Sequence, residues 1–336
     1  MSQPHIVFVD DVQVRTMMLA AGTEMAKRGC IVQHYANMTE LAADRESLEH
    51  ADVLVVSSNQ PCGRPIMSVP TQLRAVVFPA SGTETIDLKA ATDLGIIVGH
   101  GAFPENAQSM AESTIMLMLV GMYDLHRSES LLRGQQPRPR ALYARMLKGR
   151  TIGFVGFGRI GTAIALRLQG WDARLIAHSP SAASRALPLG VEAVALDTLM
   201  AQSDIVCVVS ALNDQTRGLI NERRLRLMKP SSILVNTARG AIIDEAALHR
   251  VLEEKRIAMA ALDTFTVEPL PADSPLRNLD NVVLTPHIVG HTIDTIAAAE
   301  QCLIDGIAQA LRGEPPPYIR NPEALPAWKA RWSAIS

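Results

Sequence analysis

The chain has 336 residues, 48% hydrophobic and 20% charged, with a formal net charge of −2, a length about twice that of a usual single domain, so two domains are expected. The near-neutral balance and the lack of a long Lys/Arg run argue against nucleic acid or an anionic membrane surface as partner. Four scattered cysteines, Cys30, Cys62, Cys207 and Cys302, make no CxxC pair, which speaks against a disulfide framework or a zinc site and fits a reducing compartment.

At the N-terminus, residues 6–9 are apolar but run straight into Asp10 and Asp11, unlike a signal peptide. The longest membrane-like run, residues 115–122, falls short of the roughly 20 residues a bilayer demands. A soluble, cytoplasmic protein is expected. Residues 6–10, 53–57, 75–78 and 96–98 read as strands. Residues 12–28, stopping at Gly29, and 83–94, stopping at Gly95, read as helices. The alternation implies βαβ units and a parallel sheet.

The same alternation then recurs. Strands are predicted at 151–155, 174–177, 205–209, 233–236, 259–262 and 282–284, with helices at 160–168 and 245–254. Six parallel strands suit a dinucleotide-binding domain. Two long helices, 107–126 and 293–311, flank this unit. The Met- and Leu-rich first one is expected to pack at a domain or subunit interface. Residues 133–145 are basic but broken by Pro137 and Pro139, and read as a connector. Residues 314–317, with three prolines, cannot be helical.

The turn after the first strand of the second unit runs Gly156-Phe157-Gly158-Arg159-Ile160-Gly161. GxGxxG alone is weak, but here it follows a strand and opens a helix. Gly156 permits the turn, Gly158 admits a pyrophosphate and Gly161 allows close helix–strand packing. The helix start then holds the anion. In NAD sites an acid ends the second strand and binds the ribose. Here Ser179 stands there, after His178, and Asp172 lies at the wrong end of the strand. His178 and Arg185 are the nearby groups for a 2′-phosphate. The cofactor is therefore expected to be NADP(H) or NAD(H), tilting slightly to NADP(H), with no metal.

Reduction of a 2-oxo acid needs a cation for the carboxylate and carbonyl, and a proton donor for the developing alkoxide. Such groups belong at the carboxyl ends of strands. Arg239, Glu268 and His287 each follow one of the last three predicted strands. Each alone reads equally as a salt-bridge partner, a solvated acid or a capped loop histidine. Their joint placement behind a dinucleotide turn is the stronger signal. His291 makes HxxxH with His287, but the Glu of HExxH and a third ligand are missing, so it reads as a wall or substrate residue.

These residues carry a resemblance. Residues 81–311, most densely Met228-Lys229-Pro230, Asn236-Thr237-Ala238-Arg239-Gly240 and Thr285-Pro286-His287 to His291-Thr292, resemble the D-isomer-specific 2-hydroxyacid dehydrogenases, the family of D-lactate, glyoxylate/hydroxypyruvate and 3-phosphoglycerate enzymes. The resemblance implies an α/β fold of two doubly wound parallel sheets. A Rossmann domain, residues 101–292, would be inserted into a flavodoxin-like substrate domain, residues 1–100 and 293–336. It implies Arg239 as carboxylate and carbonyl binder, His287 as general acid and base, and Glu268 as the group that keeps His287 protonated, with a raised histidine pKa. It implies cofactor contacts at Asp263, Thr237, Ala238 and Gly290 beside the glycine turn, and a substrate cradle at Ser81 and Gly82. A homodimer through the helix near 107–126 is implied as well. Ser179, Glu84 and the turn His100-Gly101-Ala102-Phe103-Pro104 depart from the family's common pattern. The other readings are a formate-dehydrogenase-like enzyme and a nucleotide-sensing binding protein on the same fold.

Overall fold

The computed structural model describes residues 3–11, 14–137, 139, 144–179 and 187–335. It divides into two compact units, Met1–Asn106 with Thr292–Ser336, and Ala107–His291.

The first unit opens with β1 (His5–Val9), α1 (Arg15–Lys27) and β2 (Ile31–Tyr35). Gly29, at φ +87°, ends α1 in the left-handed conformation that glycine adopts without penalty. Short helices α2 (Met38–Ala43) and α3 (Arg45–Glu49) precede β3 (Val53–Val56). Then come α4 (Arg64–Met67), β4 (Ala75–Val77), α5 (Leu88–Asp93) and β5 (Ile97–Gly99). The helix expected over 83–94 is therefore only its second half. Asp87 caps it, accepting from the Ala90 N–H at 2.8 Å. The strands lie parallel in the order β2-β1-β3-β4-β5, the flavodoxin-like arrangement. Alternate residues feed two cores. Ile6, Phe8, Val53 and Val55 face one side. Val7, Val9, Leu54 and Val56 face the other.

Helix α6 (Pro104–Met122) leads into the second unit and is followed by α7 (Leu125–Arg133). The single helix expected over 107–126 is thus two, because Asp124 takes a left-handed φ of 48°. Aspartate tolerates that conformation better than most side chains, and the apolar pattern continues across it, which hides the break. The sheet then runs through β6 (Thr151–Val155), α8 (Arg159–Arg167), β7 (Arg174–His178), β8 (Glu192–Ala193), α9 (Leu196–Gln202), β9 (Ile205–Val208), α10 (Glu222–Leu225), β10 (Ile233–Asn236), α11 (Glu245–Glu253), β11 (Met259–Leu262) and β12 (Val282–Leu284). The order is β12-β11-β10-β9-β6-β7-β8, all parallel. Seven strands replace the six expected, since the two-residue β8 is an exposed edge with no apolar run to announce it. The carboxyl ends of β6, β9, β10, β11 and β12 all open on one side, which is where a doubly wound sheet binds ligands.

The chain returns to the first unit with α12 (Ile293–Leu311) and α13 (Leu325–Ile335). Thr292 and Thr295 form a reciprocal cap at the start of α12. The proline stretch after Gly313 is not helical. Ile319 beyond it bridges antiparallel to Gly99. All four cysteines are free thiols. Among the described residues no helix is long and apolar enough to cross a membrane.

Candidate active site

Two strand ends build the nucleotide side of the second unit. β6 stops at Val155, and Gly156 turns the chain at φ +91° while its N–H donates to the His178 carbonyl at 2.8 Å. A Cβ there would lie 2.6 Å from Ser210 Cα and 2.8 Å from its N, so no side chain fits without moving backbone. Gly158 differs: a Cβ would meet nothing within 4 Å. Protein packing therefore does not demand this glycine. The first bond inside α8 runs from Thr162 N–H to Gly158 C=O at 2.9 Å. The preceding N–H groups stand outside the helical ladder, aimed where an anion is favoured. Gly161 is tight chiefly against the Phe157 ring, 3.1 Å from Cδ2. Its lack of a side chain therefore serves the turn's own aromatic rather than, as expected, helix–strand packing. The turn fits a dinucleotide.

His178 closes β7 with Nδ1 3.2 Å from the Val194 carbonyl; a carbonyl only accepts, so that nitrogen carries the proton. Ser179 follows it, half-buried. Arg185, the other group considered for a 2′-phosphate, lies outside the described residues.

Arg239 leaves β10 on a loop braced by side-chain hydrogen bonds. The Asn236 side chain accepts from Ala238 N–H and donates to the Arg239 carbonyl, both at 3.1 Å. The Arg239 guanidinium donates to the Ala238 carbonyl at 2.7 Å. Gly240 then presses on the next strand's loop: a Cβ there would sit 1.9 Å from the Phe265 carbonyl carbon. This backbone-to-backbone approach joins the arginine loop to the one carrying Glu268.

Glu268 divides its two oxygens. Oε1 accepts from Phe265 N–H at 2.9 Å, and Oε2 lies 2.7 Å from His287 Nδ1. The peptide bond to Pro269 is cis. Burial raises the Glu268 pKa. The hydrogen bonds from His287 and the Phe265 N–H, with the positive charges of His287 and Arg239, outweigh it and hold the carboxyl below its ordinary range. An ionised carboxylate only accepts, so His287 Nδ1 is protonated and Nε2 is the ring's exchangeable nitrogen.

His287 has φ +56°, a left-handed conformation uncommon outside glycine and held only where its surroundings impose it. Asp263 supplies much of that restraint. Its Oδ1 accepts from Thr285 Oγ1 at 2.8 Å, Ile288 N–H at 3.1 Å and Val289 N–H at 3.4 Å. The His287 N–H itself donates to the Thr285 carbonyl at 3.0 Å. Burial raises the Asp263 pKa against these donors. His291 ends the loop, its N–H on the Ile288 carbonyl at 2.9 Å. Burial, then the charge of His287, lowers its pKa. Among the described residues no cluster of metal-ligating side chains occurs.

Ser81 and Gly82 belong to the first unit. The Ser81 hydroxyl is 2.8 Å from the Gly101 carbonyl and 3.1 Å from Asn106 Oδ1, and Ser58 Oγ donates to the Gly82 carbonyl at 3.1 Å. The serine hydroxyl thus turns toward its own framework. Among the described residues no backbone–backbone hydrogen bond engages the N–H groups of Ser81 and Gly82. Sequence reasoning named Thr285 and Gly240 only as motif residues without a part and did not single out Ser210; their contacts are visible only once the loops are folded against each other.

Comparison with known proteins gives the family. Residues 115–289 match the model of the D-isomer-specific 2-hydroxyacid dehydrogenase NAD-binding domain. A glyoxylate reductase from Thermofilum pendens is 35% identical over 328 residues, covering 94% of this chain and 95% of that protein. A glyoxylate reductase from Pyrococcus furiosus is 36% identical over 287 residues, covering 83% and 85%. The solved structure of an NADPH-dependent glyoxylate/hydroxypyruvate reductase from Sinorhizobium meliloti, in complex with NADP and malonate, is 25% identical with a TM-score of 0.83 over 96% of this chain and 98% of that one. With its two parallel sheets, its glycine turn and its Glu268–His287 pair, this chain belongs to the D-isomer-specific 2-hydroxyacid dehydrogenases, nicotinamide-dependent oxidoreductases.

Proposed function

We propose that this enzyme reduces a small 2-oxo acid of the glyoxylate and hydroxypyruvate class to the D-2-hydroxy acid, with Arg239, Glu268 and His287 as its catalytic residues. The observation that carries this reading is the 2.7 Å pairing of His287 Nδ1 with Glu268 Oε2, on a strand-end loop of the same unit as Arg239. Arg239 binds the substrate carboxylate and polarises the carbonyl. In the first unit, the N–H groups of Ser81 and Gly82 are read as a cradle for a carboxylate. His287 gives its Nε2 proton to the alkoxide, and Glu268 stabilises the imidazolium before transfer. A bound nicotinamide supplies the hydride to C2 of the substrate. Oxidation reverses both transfers, with His287 as base.

The unit Ala107–His291 is read as the cofactor domain and the other as the substrate domain. Residues 156–161, His178, Ser179, Thr237, Ala238, Asp263 and Gly290 are its cofactor contacts. The absence of an acid at Ser179 favours NADP(H). Exposed Met116, Tyr123, Leu125 and Leu132 along α6 and α7 support a homodimer through this region. The four free thiols support a cytoplasmic setting. The test is nicotinamide oxidation with glyoxylate, hydroxypyruvate, pyruvate and phenylpyruvate, for the parent, His287→Ala and Arg239→Ala. Turnover is expected with one of the first two, falling about a hundredfold or more in His287→Ala. Arg239→Ala should lose both substrate affinity and rate. Near-normal turnover in His287→Ala refutes the assignment.

A further inference from the structure

Helix α6 buries three hydroxyls, Ser109, Ser113 and Thr114, on a face otherwise made of alanine, leucine, methionine and one glycine. A buried hydroxyl is costly unless it is bonded. Ser113 bonds locally to the Met110 carbonyl at 3.2 Å, the default for a helical serine. The other two reach across to the site. Ser109 Oγ donates to the Gly290 carbonyl at 2.9 Å, three residues beyond His287. Thr114 Oγ1 lies 2.9 Å from Thr237 Oγ1, two residues before Arg239.

The direction of the Thr114–Thr237 bond follows from a third distance. Thr114 Oγ1 is 2.6 Å from the Met110 carbonyl. A carbonyl only accepts, so the Thr114 proton is committed there. The Thr237 hydroxyl must therefore donate to Thr114, which fixes its rotamer. With Asn236 holding the backbone of residues 238 and 239 and Gly240 pressed on Phe265, Thr237 is a further restraint on the Arg239 loop, and its partner comes from helix α6.

We propose that Thr114 is a positioning residue: through the Thr237 hydroxyl it sets where Arg239 stands. The inference rests on the catalytic role read for Arg239. Misplacing a substrate-orienting group by about 1 Å costs on the order of ten- to a hundredfold in rate.

The test compares Thr114→Val, Thr114→Ser and the double variant Thr114→Val/Thr237→Val by kcat at saturating cofactor and substrate, cofactor Kd and thermal unfolding. Thr114→Val strands a buried donor on Thr237, so both kcat and stability are expected to fall, kcat by roughly tenfold or more, with cofactor Kd changed much less. Thr114→Ser keeps the hydroxyl and should restore kcat. The double variant removes both polar partners, so stability should return while kcat stays low. That split separates positioning from simple support of the fold. The proposal is overturned if Thr114→Val keeps kcat within about twofold of the parent, or if kcat recovers together with stability in the double variant. Loss of turnover in the parent protein with every 2-oxo acid would instead strike the underlying functional reading.

Discussion

Glu268 Oε2 and His287 Nδ1 stand 2.7 Å apart while Glu268 Oε1 is held by the Phe265 N–H at 2.9 Å. The carboxylate is therefore oriented from both ends before any substrate binds. Its pKa is lowered because its hydrogen bonds and the charges of His287 and Arg239 exceed the effect of burial. A carboxyl depressed in the folded state contributes stability above its unfolded value, about 4.3. That contribution is lost as pH falls through the folded value. Glu268→Gln should therefore unfold at a lower temperature than the parent near pH 7, and the gap should close below about pH 4. A gap independent of pH removes the charge-based account. Turnover should fall as well, since glutamine offers the protonated ring no counter-charge.

Gly240 sets the approach of the Arg239 loop to Phe265. A Cβ at 1.9 Å from a backbone carbonyl carbon and 2.4 Å from Thr266 N cannot be absorbed by rotating a side chain. Gly240→Ala should cost about 1–3 kcal/mol of stability and lower kcat/KM through displacement of Arg239. Chemical denaturation and steady-state kinetics check both, and an alanine variant with parental rate contradicts the close joint described for these loops.

The glycine turn invites a paired experiment. Gly156→Ala meets Ser210 backbone and a left-handed φ, so it should lower stability and cofactor affinity together. Gly158→Ala meets no protein atom within 4 Å. It should leave stability within about 1 kcal/mol of the parent and weaken cofactor binding by roughly tenfold or more, because the pyrophosphate approaches this backbone closely. Fluorescence titration with the reduced cofactor and thermal unfolding separate the two. Equal effects of both variants on stability count against a ligand-driven Gly158.

Which of these relationships were open to sequence reading depends on their range. β6, β10, β11, β12 and α12 lie where the apolar runs place them: β10 and β11 are buried throughout and β6 almost so, while β12, partly buried at the sheet edge, is still a short unbroken apolar run. β2 was not foreseen. It is an edge strand whose residues are only partly buried, so Gln33 and His34 break the pattern. The placement of Arg239, Glu268 and His287 after successive strands follows from parallel topology alone. Their restraints do not. Gly240 against Phe265, Asp263 under the His287 loop and Thr114 against Thr237 each join residues 22 to 123 positions apart, and no local pattern announces them. One hint was available: three hydroxyls buried in a methionine- and leucine-rich helix need partners somewhere.

On the proposed reading, the cofactor choice turns on one position at the end of β7. Gly156 N–H is bonded to the His178 carbonyl, so the residue after His178 follows directly from the strand that borders the glycine turn. Ser179 occupies it. A carboxylate there would accept bonds from ribose hydroxyls and repel a 2′-phosphate, whereas serine does neither with a full charge. The parent enzyme is therefore expected to show the higher kcat/KM with NADPH. Ser179→Asp should move the NADPH-to-NADH ratio toward NADH by on the order of tenfold or more, mostly through the KM for NADPH, since repulsion acts on binding and not on hydride transfer. His178 should stay in place in that variant, because its Nδ1 is tied to the Val194 carbonyl at 3.2 Å. A parent enzyme with a large NADH preference, or an aspartate variant with an unchanged ratio, would show that discrimination is set by residues other than Ser179.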